Sequence, residues 1–282
     1  MYECIDYKVE SSSALITLNR PDRLNALTHR ALAELRHALS VAERSRDVTG
    51  VIITGAGRGF CAGMDIKTLV SASETGDGDI PALRSRDANT PGDPSMGRDF
   101  DSGFGYLMTL RKPIIAAVNG PCAGMGMSLT LFCDLRFASD DAYFVTSFAK
   151  RGLIAEHGQS WLLPRLVGPS RALDLLWSSR AVNAREAERI GLVDKVVSAA
   201  DLIPQAVSYV STLHDTSAPT SLMVMKRQVY RHMSMSLGQA LSESDTLMQE
   251  SIQRSDAREG AASYVEKRKP NFSRVEGPWG TK

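Results

Sequence analysis

The sequence lacks the features that mark membrane and nucleic-acid-binding proteins. No apolar run approaches the roughly 18 residues that cross a bilayer, and the first ten residues, MYECIDYKVE, contain no basic region followed by an apolar run. Lysine and arginine number 33 against 32 acidic residues, so no excess of one charge favours nucleic acid or a membrane surface as a partner. We therefore expect a soluble, cytoplasmic protein that binds neither nucleic acid nor membrane.

Several catalytic and cofactor motifs are absent as well. The four cysteines, Cys4, Cys61, Cys122 and Cys133, are not spaced as metal ligands, and we expect free thiols in a reducing compartment. The glycines of segment 55–60 do not complete a dinucleotide-binding fingerprint, and no segment has the lysine and hydroxyl of a P-loop. No G-x-S-x-G nucleophile elbow occurs. Nothing in the sequence therefore indicates a metal or a redox cofactor.

The segment 113–135 is the most informative stretch that is present. Residues 113–118 form a short apolar run typical of a buried parallel strand, and Asn119-Gly120-Pro121 ends it. Gly124 and the apolar residues after it then predict a buried helix. A helix that begins directly after a glycine turn offers free backbone N–H groups at its positive end, which suit an anion or an oxygen that gains negative charge.

The segment 48–66 has the same order of elements. Residues 51–54 predict a strand, three glycines form the next turn, and Ala62-Gly63-Met64-Asp65 opens another element. Two such turns, if the fold brings them together, can supply two backbone donors to one oxygen. The sequence therefore predicts an oxyanion hole.

These segments, together with Asn19-Arg20-Pro21 and Leu24-Asn25-Ala26-Leu27, resemble the crotonase (enoyl-CoA hydratase/isomerase) superfamily from about residue 5 to about residue 272. The resemblance implies an α/β, ClpP-like fold of repeated β-β-α units with a helical C-terminal region. It implies a core domain over 1–200 and a helical trimerisation region over 201–282. It further implies homotrimers or dimers of trimers, and an acyl-CoA thioester as substrate without a separate cofactor.

The resemblance assigns the thioester carbonyl to two backbone N–H groups, those of Met64 and Met125. It also implies contacts with the CoA thioester from the residues around them: Arg23, Leu24, Ala26, Ala62, Gly63, Asp65, Ile66, Gly124 and Phe148. Without the resemblance, Arg23 would be interpreted as a solvated loop charge. Asp65, next to the Met64 amide, suits a structural hydrogen bond better than a role as base.

The carboxylates depart from the pattern of the family's hydratases. Those enzymes use two glutamates, and the corresponding positions here are Ser128 and Phe148. Glu156, in the sequence GLIAEHG, instead matches the single base of Δ3,Δ2-enoyl-CoA isomerases. One carboxylate can remove a proton from C2 and return it at C4 while the enolate oxygen is held by the amides. A pocket of Phe148, Leu153 and Trp161 would desolvate this carboxylate and strengthen it as a base.

Other interpretations remain open from the sequence. Glu156 could be a surface glutamate that caps a helix beginning near Gly158, and adjacent residues usually point apart, so we do not expect His157 to pair with it. The leading hypothesis is an enoyl-CoA isomerase. The alternatives are an enoyl-CoA hydratase of fatty-acid degradation and a catalytically silent CoA-binding homologue. RNA binding, known for a few relatives of this fold, is disfavoured by the near-neutral charge.

Local patterns predict the remaining elements. Segment 71–98, rich in Gly, Pro, Asp and Ser, is expected to be a long loop, either a lid or a disordered insert. The sequence EKRKPNF, 266–272, resembles the tail of the crotonase superfamily, which implies a contact to CoA phosphates from the same or a neighbouring subunit; without the resemblance it would be interpreted as a solvated helix end. The other predicted elements are strands at 2–10, 14–19, 134–139 and 142–147, helices from Thr28 to about Arg44, at 99–110 and at 159–166, and a mainly helical region at 217–268.

Overall fold

The structure, a computed structural model, describes residues 1–75, 80, 83 and 90–273. The strands are β1 (Ile5–Glu10), β2 (Ser13–Leu18), β3 (Gly50–Gly55), β4 (Ile114–Val118), β5 (Cys122–Ala123), β6 (Leu135–Ser139), β7 (Tyr143–Val145), β8 (Val182–Asn183) and β9 (Lys195–Val197). The helices are α1 (His29–Arg44), α2 (Ile66–Thr75), α3 (Tyr106–Thr109), α4 (Met125–Leu131), α5 (Gln159–Val167), α6 (Pro169–Ser178), α7 (Ala184–Arg189), α8 (Leu202–Thr216), α9 (Pro219–His232), α10 (Leu237–Ile252) and α11 (Ser255–Glu266).

Two sheets organise the core. The larger has the strand order β1-β2-β3-β4-β6-β9, and all its neighbours are parallel except the β1–β2 hairpin. The smaller has the order β5-β7-β8. Helices separate most of the parallel strands in the chain, as parallel connections require. The predicted α/β fold is therefore confirmed.

The central strands are buried on both faces. Val51 and Ile53 of β3 pack in the cluster that contains Leu32, Leu35 and Leu39 of α1. Because side chains alternate along a strand, the intervening residues face the other way. Ile52 of β3, together with Ile115 and Ala117 of β4, packs against Leu202, Ala206 and Val210 of α8. This double burial explains why both strands are continuous apolar runs in the sequence.

The turns after β3 and β4 lie at the same edge of the sheet. The two strands are parallel and in register, with Val51 beside Ile114, so their carboxyl ends meet. The turns are then paired directly: the N–H groups of Phe60 and Cys61 donate to the Pro121 carbonyl, and the Ala123 N–H donates to the Cys61 carbonyl. The fold thus brings together the two glycine-rich segments that the sequence singled out.

Most local predictions are confirmed, but the helix predicted over 99–110 is wrong. The chain forms a 3-10 turn over Arg98–Phe100, and only Tyr106–Thr109 is α-helical. Two glycines explain the difference. Gly103 has a φ of 61°, and a Cβ at Gly105 would lie 2.8 Å from the Phe100 carbonyl oxygen. The left-handed backbone at Gly103 interrupts the helix, and the close approach of Gly105 to the Phe100 carbonyl leaves no room for a Cβ on this path.

The loop predicted over 71–98 is partly wrong. Helix α2 continues to Thr75, and a 3-10 turn occupies Pro94–Met96. The N-terminus of α2 is held by the Asp65 carboxylate, which accepts the Lys67 N–H at 3.1 Å. The rest of the predicted lid falls largely on 76–79, 81–82 and 84–89, which lie outside the described residues.

The C-terminal helices leave apolar side chains exposed. On α10 these are Leu237, Leu241, Met248 and Ile252, which lie within one stripe of the helix. The division of the chain after residue 200, and a trimerisation role for residues 201–282, stay predictions. None of the described helices is both long and apolar enough to span a membrane.

Candidate active site

Asn25 fastens the first glycine-rich turn to the loop before α1. Its side-chain amide donates to the carbonyls of Ala56 and Gly59 at 2.9 and 2.8 Å, and its Oδ1 accepts the Arg20 N–H at 2.9 Å. The Leu24 carbonyl accepts the Ala62 N–H at 2.9 Å. These bonds place Leu24 and Ala26 beside the turn that carries Met64.

The two predicted oxyanion residues lie on closely approaching turns. Gly63 has a φ of 100°, and a Cβ there would lie 3.1 Å from the Ala123 carbonyl oxygen and 3.4 Å from the Met125 nitrogen. Only glycine allows both this backbone conformation and this approach. The Met64 and Met125 N–H groups make no hydrogen bond to another described residue, as befits Met125 at the first position of α4.

A pocket of about 60 Å³ joins both turns to Glu156. Gly63, Met64, Gly124 and Met125 line one side of it, and Glu156 lies on the wall with the apolar side chains Phe148 and Leu153. Among the described residues that line this pocket, Glu156 is the only carboxylate. The structure therefore places the candidate base and the candidate oxyanion donors in one space.

The alternative that Glu156 caps a helix is not supported. Helix α5 has Gly158 at its N-cap, and no side chain caps it. The Glu156 side chain is 39% exposed, however, so the desolvation expected from the sequence is incomplete in the isolated chain. Its Oε2 atom lies 3.6 Å from His157 Nε2.

The expectation that His157 points away from Glu156 is therefore wrong. His157 has a left-handed backbone with a φ of 49°, which turns the two neighbouring side chains toward each other. Burial lowers the pKa of His157, and the nearby Glu156 carboxylate offsets only part of that effect. A neutral imidazole can exchange a proton at near-neutral pH.

Asp65 has the structural role that its position suggested. Its Oδ2 accepts a hydrogen bond from Arg20 at 3.0 Å, in addition to the Lys67 N–H bond. Burial works to raise the Asp65 pKa, but these hydrogen bonds outweigh burial and leave the pKa below its ordinary value. By contrast, the Arg23 side chain is 60% exposed and lies 3.5 Å from Asp22.

Ser128 and Phe148 are the residues that the family resemblance matches to the hydratase glutamates. Ser128 is fully buried under the second turn, where its hydroxyl faces the Gly124 carbonyl at 3.4 Å. Phe148 forms part of the pocket wall. Neither residue can exchange a proton as a carboxylate does.

A second cavity of about 670 Å³ adjoins the pocket, and His157 lines both. Its apolar walls include Phe100, Met108, Phe132 and Trp161. The expectation that Trp161 lines the pocket of Glu156 is wrong, because among the described residues it lines only this larger cavity. Trp161 and Gln159 are two residues apart on α5, so their side chains point in directions about 200° apart. Trp161 faces this cavity, and Gln159 faces Ser128 of α4.

Sequence reasoning missed one charged residue of the pocket. Arg151 lines it five positions before Glu156, at the end of the 3-10 turn Ala149–Arg151, and its guanidinium donates to the Ser147 carbonyl at 2.9 Å. The short distance in sequence between Arg151 and Glu156 is the one feature from which its place in the pocket could have been predicted.

Comparison with known proteins gives relatives over nearly the whole chain. A protein of Mycobacterium leprae named probable enoyl-CoA hydratase echA8 is 36% identical over 259 residues, which cover 92% of this chain and 93% of the relative. The peroxisomal Delta(3,5)-Delta(2,4)-dienoyl-CoA isomerase of Arabidopsis thaliana is 30% identical over 273 residues, 97% of each chain. The relatives thus carry names of both reaction types.

The fold agrees with solved structures. The crystal structure of enoyl-CoA hydratase from Bacillus anthracis superposes with a TM-score of 0.85 at 27% identity, covering 97% of this chain and 100% of the other. A family model described as enoyl-CoA hydratase/isomerase matches residues 8–275. The chain is therefore a member of the enoyl-CoA hydratase/isomerase family, within the crotonase superfamily.

Proposed function

We propose that this family member shifts the double bond of a 3-enoyl-CoA to position 2. The observation that carries the proposal is the single pocket that contains Glu156 and both glycine turns. In this reaction Glu156 takes a proton from C2, and the electron pair of that bond moves into the thioester, whose oxygen becomes negative. The N–H groups of Met64 and Met125 stabilise that oxygen. The same carboxylate then delivers the proton to C4, so the double bond lies between C2 and C3.

The remaining predicted contacts fit a thioester that enters past the loop before α1. Arg23 and Ile66 are exposed at that side, and Leu24, Ala26 and Ala62 lie beside the first turn. We propose that Gly63, Gly124 and Phe148 contact the thioester end. The carboxylate of Asp65 is occupied by Arg20 and the Lys67 N–H, so we assign its contribution to the shape of the turn. The 670 Å³ cavity would receive the acyl group.

Hydration is the second candidate, because Glu156 has His157 beside it. Two groups that exchange protons are what water addition at C3 and proton delivery to C2 require. The hydratase names of several relatives also favour it.

Product analysis separates the candidates. Purified protein is incubated separately with trans-3-hexenoyl-CoA and with crotonyl-CoA. The products are separated by chromatography, which resolves the isomers, and their masses are measured by mass spectrometry. Conversion of the first to the 2-enoyl isomer, with no gain of 18 mass units from either, is the expected result. Hydration of crotonyl-CoA without isomerisation would overturn the isomerase proposal. Binding of both thioesters without any conversion would identify a silent CoA-binding homologue.

A further inference from the structure

Gln159 contacts both the turn that precedes Met125 and the loop that carries Glu156, although it lines neither of the two cavities. It is fully buried at the first position of α5. Its side-chain Nε2 donates to the Gly124 carbonyl and to Ser128 Oγ, each at 3.0 Å. Its backbone N–H donates to the Glu156 carbonyl at 3.1 Å. One residue thus links the loop of the candidate base to the turn of the second oxyanion donor.

The hydrogen bond from Gln159 to the Gly124 carbonyl acts on the peptide unit that also contains the Met125 N–H. The Gly124 carbonyl and the Met125 N–H belong to the same planar trans peptide, so they point in opposite directions. Gly124 adopts φ 51° and ψ −120°, a backbone conformation that glycine adopts readily and that residues with a Cβ disfavour. The Gly124 carbonyl accepts the Ser128 N–H of α4 at 3.0 Å as well as the Gln159 amide. The Gln159 donor adds to that bond, so it further restrains the direction of the N–H on the other side and polarises that N–H.

The other end of the Gln159 amide is unpaired. Its Oε1 is buried and has no hydrogen-bond partner among the described residues. The amide cannot be reversed, because the Gly124 carbonyl only accepts and must face the NH2 group. A buried acceptor without a partner is unfavourable for folding. Stabilisation of the fold alone therefore does not explain why a glutamine side chain occupies this position.

We propose that Gln159 is a positioning residue of the proton-transfer site. It orients and polarises the Met125 N–H, and it holds the Glu156 loop at a fixed place relative to that donor. This inference rests on the proposed oxyanion role of Met125.

The test compares Gln159→Met with the unchanged protein. Methionine has a similar volume and no donor. The probe is butanoyl-CoA with ¹³C at the thioester carbonyl, which can be neither isomerised nor hydrated. Isotope-edited infrared spectroscopy measures how far binding lowers its C=O stretching frequency. We expect a clear downshift in the unchanged protein and a much smaller one in Gln159→Met, with kcat for trans-3-hexenoyl-CoA lower by roughly 10- to 100-fold and KM little changed.

Ser128→Ala is the matched control. It removes the Ser128 hydroxyl, which accepts from the Gln159 amide and faces the Gly124 carbonyl at 3.4 Å, and it leaves the 3.0 Å bond from Gln159 to that carbonyl in place. This variant is expected to keep most of the carbonyl downshift.

The outcomes separate the two proposals. If the unchanged protein binds the probe without a downshift, the oxyanion hole and the proposed function fail. If it shows the downshift and Gln159→Met shows the same, the inference about Gln159 is overturned, whatever happens to the melting temperature. If Gln159→Met does not fold, Gln159→Leu replaces it, because leucine also fills the site without a hydrogen-bond donor. An unchanged downshift in that variant overturns the inference equally.

Discussion

At the scale of the residue, the candidate site uses few side chains. The two donors are backbone N–H groups, so the methionine side chains at 64 and 125 are not required for their role. The side chains proposed to exchange protons in the small pocket are a partly exposed carboxylate and a largely buried imidazole, Glu156 and His157, and the Arg151 guanidinium lies in the same pocket. Their proximity follows from the left-handed backbone at His157.

His157 should make stability depend on pH. Because its pKa in the folded state is below that in the unfolded chain, the folded protein favours the neutral ring. That contribution is fully present above the unfolded pKa, about 6.5, and is lost as pH falls through the folded value. The free energy of unfolding should therefore decrease toward acid pH, and His157→Gln should remove part of this decrease.

Urea denaturation of both proteins between about pH 7.5 and 5 provides the measurement. The difference between the two curves isolates His157 from the other histidines and the carboxylates. Curves that run parallel over this range would show that burial of the ring has no net effect on its protonation.

The sequence predicts these residues unequally. Met64 and Met125 can be found because glycine turns next to apolar strands have a distinct local pattern. The contact between Glu156 and His157 cannot, since it depends on one non-glycine residue with positive φ. Gln159 is equally hidden, because its role depends on a partner 35 positions earlier in the chain.

At the scale of the element, two parallel strand–turn–helix units bring their turns into contact. The contact requires a residue without a Cβ at position 63, because a Cβ there would lie 3.1 Å from the Ala123 carbonyl oxygen. Elements with continuous local patterns, such as β4 and α1 with its Thr28 cap, could be predicted from the sequence. Segment 99–110 could not, because its apolar spacing suits a helix while its glycines allow a different path.

Gly63→Ala tests the contact between the turns. The strained backbone should destabilise the protein by about 1–2 kcal/mol, and displacement of the Met125 peptide should lower kcat for 3-enoyl-CoA by about 100-fold. Thermal unfolding and steady-state kinetics measure the two effects.

Gly97→Ala is the control for this variant. Gly97 has a similar φ of 108°, but a Cβ there would meet nothing within 4 Å. It should show the loss of stability without the loss of kcat. Equal kinetic losses in both variants would mean that the close approach of the turns is unimportant for activity.

At the scale of the whole molecule, the exposed apolar stripe of α10 remains to be covered. Leu237 is 76% exposed, and Leu241, Met248 and Ile252 continue the same side. Contiguous exposed apolar side chains of this kind mark interaction surfaces. We propose that a second copy of the chain covers them in the trimer, or dimer of trimers, that the family resemblance implies.

Leu241→Asp should disrupt that assembly, because burying an unpaired charge costs about 3–5 kcal/mol per contact. Sedimentation velocity should then show a smaller species than the trimer or hexamer expected for the unchanged protein. Thr246→Asp adds the same charge about 140° away from Leu241 around this helix, where the side chain is also exposed, and should leave the assembly intact. A monomer before any substitution would contradict the proposed surface.

The most direct test of the central claim is the turnover of trans-3-hexenoyl-CoA by Glu156→Gln. Glutamine keeps the size of the side chain and cannot accept the C2 proton, so kcat should fall by about 10²–10⁴-fold while calorimetry shows that butanoyl-CoA still binds. Glu250→Gln, which changes an exposed glutamate of α10, should retain full turnover. Undiminished isomerisation by Glu156→Gln would show that another group transfers the proton.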